Sequence, residues 1–182
     1  MIQRCQWIQN KPEFYVAYHD TVWGKPCRQD QELFEWLVLE TFHSGLSWQL
    51  VLSKMPDFKE AFDELDPAIV SQYTTNDVER LLQNDKIIRH HSKIEATINN
   101  AQRFLEVAKE WGSFSRYIWH FTEDEPVVRG VGEPMLTRSS LSDQIVNDMK
   151  RRGFRFIGST TIHSYLQGIG VINDHDPECS FK

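Results

Sequence analysis

Between Ile88 or His91 and Trp111, the residues Ile94, Ile98, Ala101, Leu105 and Ala108 recur at intervals of three and four, and Gly112 follows as a stop. That period puts them on one face of a long α-helix whose other face is polar. A helix with one apolar stripe must bury it against other elements, and the rest of the chain offers helical rather than alternating patterns. Gln31 to Phe42 and Ser47 to Met55 read as helices, the second stopped by Pro56, with a short piece around Lys59 to Asp63. Asp66-Pro67 opens a further turn. Thr75, Asn76 and Asp77 offer cap chemistry for Val78 to Gln83, with Glu79 placed to complete a capping box. Phe114 to Phe121 is a short aromatic helix, and Glu123 to Thr137, with its prolines and glycines, is a loop. Ser140 to Arg151 is a helix with Leu141, Ile145 and Met149 as its stripe, and Ser159 to Gln167 is the last, stopped by Gly170. The predicted fold is all-α, in one globular domain spanning residues 1–182.

Residues 1–28 hold Trp7, Phe14, Tyr15, Tyr18, His19, Trp23 and two cysteines with little periodicity. They read as an irregular arm packed on the helical body, which something other than its own helices must tie down. With 182 residues, 40% of them hydrophobic, the chain can fill one core but cannot hold two independent enzymes. The net charge of -6 gives no global sign of a nucleic-acid partner, although a local basic stripe can bind phosphate on an acidic protein. The start, Met1-Ile2-Gln3-Arg4-Cys5-Gln6, lacks the apolar run of a signal peptide, and no stretch approaches a membrane span. The expected location is the cytoplasm, and the default state is a monomer. There, three cysteines read as free thiols or metal ligands rather than bridges.

Four groups of residues carry candidate chemistry. Glu40 follows the apolar run Leu33, Phe34, Leu37, Val38 and precedes a break at Gly45 and a restart at Trp48. An acid there is costly to bury without a purpose; with Tyr18 and Trp48 it can frame a flat cationic ring, or it is an ordinary salt-bridged helix acid beside core aromatics. The segment 150–161 joins two helices through a turn bounded by Gly153 and Gly158. A helix N-terminus at Ser159, Thr160 and Thr161 and four basic residues, Arg155 among them, stand beside it. This is either a helix-hairpin-helix grip on a DNA phosphate or a capped turn with a solvated basic end. Arg89, His90, His91 and Lys93 form a second basic patch, useful as a phosphate track only if it shares a face with the first. Cys5, His19, His175 and Cys179 can make a tetrahedral Cys2His2 set that clasps both termini, or they are unrelated thiols and histidines.

The pieces Arg4-Cys5-x-Trp7, Tyr18-His19-Asp20, Trp23-Gly24, Leu39-Glu40, Ser44-Gly45-Leu46-Ser47-Trp48, Ile87-Ile88-Arg89-His90, Arg152-Gly153-Phe154-Arg155-Phe156-Ile157-Gly158 and Val171-Ile172-Asn173-Asp174-His175 together resemble the 3-methyladenine DNA glycosylase I family, in family order across nearly the full chain. The resemblance implies a helix-hairpin-helix repair enzyme acting on double-stranded DNA that carries alkylated bases. It implies one structural zinc on Cys5, His19, His175 and Cys179, and an extruded base held by Glu40, Tyr18 and Trp48. The hairpin, with Gly153, Arg155, Gly158, Ser159 and Thr160, would hold the DNA backbone, and Leu46 would enter the gap left in the duplex. Phe42-His43-Ser44 departs from the family pattern of glutamine and alanine before Gly-Leu-Ser-Trp, which bears on lesion recognition and gap contacts. No lysine is placed as an imine-forming nucleophile, so no strand cleavage is expected. Two readings from other classes stay open on the sequence: a zinc-clasped DNA-binding module without catalysis, and a zinc-dependent hydrolase.

Overall fold

The longest helix occupies His91–Trp111 in the computed structural model, which describes residues Met1–Lys182. In chain order the helices are α1 (Glu13–Thr21), α2 (Asp30–His43), α3 (Trp48–Ser53), α4 (Met55–Ala61), α5 (Pro67–Val70), α6 (Thr75–Gln83), α7 (His91–Trp111), α8 (Phe114–His120), α9 (Ser140–Arg151) and α10 (Ser159–Gly168). The fold is all-α, as the patterning predicts, apart from one pair of two-residue strands. These are β1 (Val127–Val128) and β2 (Ile172–Asn173), paired in parallel with Val127 opposite Ile172, and they pin the loop after α8 to the C-terminal segment.

Helix α2 is the centre of the molecule. Every residue from Leu33 to Phe42 is buried, and the helix packs against α3, α7, α8 and α10. A helix buried on all sides needs neighbours that enclose it, and its polar residues need partners. Its N-terminus is tied to α8, because Asp30 accepts hydrogen bonds from the backbone N–H groups of Phe114 and Ser115. No helix is long and apolar enough to cross a membrane.

Several local expectations change. The stretch 1–28 is irregular only in part: Tyr15, Tyr18, His19 and Val22 stand at helical intervals, and α1, covering Glu13–Thr21, buries Tyr18 and His19. Pro56 opens α4 in its first turn, where a missing N–H costs nothing, rather than stopping a helix. The capping box of α6 uses Thr74 and Asp77, the required three-residue spacing, not Glu79. The buried face of α7 is centred on Thr97, Asn100, Phe104 and Val107, so the stripe read from its aliphatic residues is only one edge of it. Thr97 and Asn100 hide that face because they are buried through hydrogen bonds: Thr97 donates to the Lys93 carbonyl, and Asn100 exchanges two bonds with the Arg155 backbone.

Candidate active site and metal group

Glu40 lies in the last turn of α2 and is 2% exposed. Both carboxylate oxygens accept a hydrogen bond, Oε2 from His43 Nδ1 at 2.9 Å and Oε1 from Ser164 Oγ at 2.8 Å. Burial raises the Glu40 pKa above its ordinary value, and the His43 and Ser164 bonds pull against that rise. Beside it opens a cavity of about 200 Å³ lined by Trp7, Tyr15, Tyr18, Trp23, His43, Trp48, Met135 and Ser164. The rings of Tyr18 and Trp48 stand 5.6 Å apart, and His43 lies 5.1 Å from Trp48. Of the three residues singled out for base binding, Tyr18 and Trp48 line this aromatic pocket, whereas Glu40 does not line it and reaches it only through its hydrogen bonds to two residues that do, His43 and Ser164.

Leu46 is half-buried against the core rather than free at the bend; Ser44 and Gly45 (φ +80°) form the exposed turn. Sequence reasoning missed Tyr15, Trp7 and Ser164. Tyr15 carries a signal, three residues before Tyr18 on α1, whereas nothing local pairs Ser164 with an acid 124 positions away.

The segment 150–161 forms the turn between α9 and α10, with Gly153 at φ +92° and Gly158 as the N-cap of α10. A side chain at Gly158 would meet nothing within 4 Å, so its backbone is open to approach. The turn is held from α7 by Asn99, which donates to the Gly153 carbonyl, and by Asn100. Ser159 is tied to Ser142 through its hydroxyl, while Thr160 and Arg155 are exposed. Arg152 is not free for phosphate: it pairs with Glu110 and Asp148, which raise its pKa, and lies over the Tyr117 ring. The second patch adjoins the first, since His91 and Arg155 line one open groove and the His90 ring packs edge-on against Phe156. Lys93 does not belong to it. That residue is buried, and its ammonium donates to the carbonyls of Phe42 and Ser44.

The ligating atoms of Cys5, His19, His175 and Cys179 all lie within 4.8 Å of one another, and all four residues are buried. Thiol to imidazole distances are 3.4 Å for Cys5 to His175, 3.3 Å for Cys179 to His175 and 3.8 Å for Cys179 to His19. A tetrahedral ion with sulfur at 2.3 Å and nitrogen near 2.0 Å needs an edge of about 3.6 Å. The outer nitrogens also fit: His19 Nδ1–H donates to Asp20 and His175 Nε2–H donates to the Trp23 carbonyl, so both inner nitrogens present lone pairs. Burial lowers His175 to about 4, which keeps it neutral, and raises Cys5 to about 12. Without a cation beside it, the Cys5 thiol would stay protonated. The group fits a metal ion with four protein ligands and no open position.

The open aromatic pocket, the buried acid and the α9–α10 hairpin fit a helical DNA glycosylase of the helix-hairpin-helix kind. The chain belongs to the methyladenine glycosylase family, whose model matches residues 7–182. It is 38% identical to the DNA-3-methyladenine glycosylase of Haemophilus influenzae, over all of this chain and 99% of that one. It also superposes on a crystal structure of 3-methyladenine DNA glycosylase I at a TM-score of 0.93 and 38% identity, covering 98% of each chain. A variant of a 3-methyladenine DNA glycosylase I solved in complex with 3-methyladenine matches at a TM-score of 0.94 and 34% identity, covering 98% of this chain and 97% of the other.

Proposed function

We propose that this protein is a monomeric, cytoplasmic DNA repair enzyme, built as one catalytic domain, that hydrolyses the bond between 3-methyladenine and its sugar in alkylated duplex DNA. The observation that carries this reading is a buried, hydrogen-bonded Glu40 behind an aromatic pocket, in a chain similar along its whole length to 3-methyladenine glycosylases. The pocket's volume of about 200 Å³ suits one extruded base. Such enzymes must take the nucleotide out of the stack to reach it.

Methylation at N3 makes adenine cationic, so its glycosidic bond is already weakened. In the proposed reaction Trp48 stacks on the base, Tyr18 contacts its edge, and Glu40 accepts from its exocyclic amine through a lone pair left free by His43 or Ser164. The bond's electron pair leaves with the base, neutralising it, and water adds to the sugar carbon and gives up a proton to solvent. Glu40 is a recognition group that favours the base's positive charge, not a water-activating base. No lysine lines the pocket, which supports base release without strand cleavage. Gly153, Arg155, Gly158, Ser159 and Thr160 hold the DNA backbone, and Leu46 occupies the gap. Zinc is the ion the Cys2His2 donor set favours, in a structural role.

Incubation with methylated duplex DNA and identification of the free bases tests the reading: release of 3-methyladenine is expected. Duplex binding with no base released would sink it, and a covalent adduct trapped by borohydride would overturn the monofunctional mechanism.

A further inference from the structure

Lys93 is a buried lysine in a chain of acidic net charge, 5% exposed and without a carboxylate partner. Its ammonium donates to two main-chain carbonyls, Phe42 at 3.0 Å and Ser44 at 2.6 Å. These flank the end of α2, where unpaired carbonyls concentrate negative charge and a cation is favoured. Burial lowers its pKa, so the site bears a cost for keeping a charge there.

What the lysine holds is the bend and not the pocket. Glu40 has its own ties to His43 and Ser164, and Trp48 is packed by Tyr18, Trp36 and His43. The turn Ser44-Gly45-Leu46 has only one backbone bond of its own, from the Leu46 N–H to the His43 carbonyl, and its first two residues are exposed. A turn so lightly held would yield when pressed against a duplex. We infer that Lys93 is a positioning residue for base extrusion: by fixing the carbonyls of Phe42 and Ser44 from below, it keeps the Ser44–Leu46 bend rigid while it displaces the nucleotide.

The inference rests on the glycosylase reading, and the test separates the two. Wild type, Lys93→Met and Lys93→Gln are compared in single-turnover excision of 3-methyladenine from duplex, in duplex binding, in tryptophan-fluorescence titration with free 3-methyladenine, and in thermal melting. Lys93→Met is expected to lower the maximal excision rate by about ten- to a hundred-fold, the range for losing hydrogen bonds from a charged donor. Lys93→Gln, which retains a donor, is expected to fall between. Duplex affinity and free-base affinity should stay within about three-fold of wild type, because neither surface loses a contact. Excision at the wild-type rate by a folded Lys93→Met protein overturns the inference. So does a parallel loss of free-base affinity, which would mean that the pocket itself had collapsed, and so does failure of both variants to fold. If wild type releases no base, it is the glycosylase reading that falls.

Discussion

Glu40→Gln separates function from stability more sharply than any other change. The side chain is 2% exposed, and the amide keeps its shape while losing the charge. One hydrogen bond to a charged partner is worth about 1.5–3 kcal/mol, so excision of 3-methyladenine should fall by about ten- to a hundred-fold or more. The stability effect has the opposite sign. Burial raises the Glu40 pKa, so protonation is favoured in the folded state. Its contribution to stability is fully present below the unfolded-state value near 4.3 and is lost as pH rises through the raised folded value. Glutamine carries no such titration, so the variant should gain melting temperature relative to wild type on going from pH 4 to pH 7. Wild-type excision should itself decline as pH falls through the raised Glu40 pKa. The assay is base release from methylated duplex, with melting followed across the same pH series. Undiminished excision by Glu40→Gln, or a relative melting temperature that drops toward neutral pH, would refute the reasoning.

Asn100→Leu removes both bonds to the Arg155 backbone; duplex affinity should weaken by about ten-fold while free 3-methyladenine still binds, read by DNA titration and tryptophan fluorescence. A methyl group at Gly170 would stand 2.2 Å from the Lys25 carbonyl group, at φ +75°, so Gly170→Ala should cost about 3 kcal/mol or more, read by denaturant unfolding. Cys5→Ser should abolish metal binding, seen by elemental analysis as loss of one ion per chain, and lower the melting temperature by roughly 6–12 °C if the ion contributes at least about 3 kcal/mol. Full metal content with unchanged melting in that variant would end the clasp.

The legible part of the fold is the part written in spacing. The hairpin glycines, the extent of α9 and the all-helical architecture follow from period and punctuation, and the Cys5, His19, His175 and Cys179 set appears as two pairs of ligand types near the termini. What stayed hidden depends on tertiary contacts between distant residues. Lys93 has the composition of a surface patch, and only the neighbouring end of α2 turns it into a buried tie. The same holds for Thr97 and Asn100, whose polarity moved the apparent core stripe of α7. Helix α1 was masked for another reason: it is nine residues long and its aromatics differ in burial even along one face, with Phe14 exposed and Tyr18 one turn later buried, so no clean stripe marks it.

That helix also explains why a metal group and a base pocket sit in one small domain. Tyr18 and His19 are consecutive on α1, and successive helical side chains point about 100° apart. One faces Trp48 in the pocket and the other faces Cys179. Trp23 extends the link: its ring lines the pocket while its carbonyl accepts from His175. Trp7, two residues after Cys5, packs its ring at 4.8 Å from that of Trp23. Part of the pocket wall, Tyr15 and Tyr18, is thus supplied by a short helix that also carries His19 of the four-residue group. A glycosylase that must distinguish a methylated base from a normal one by fit needs that wall held rigid, and an ion bound by these four side chains would provide this without enlarging the core.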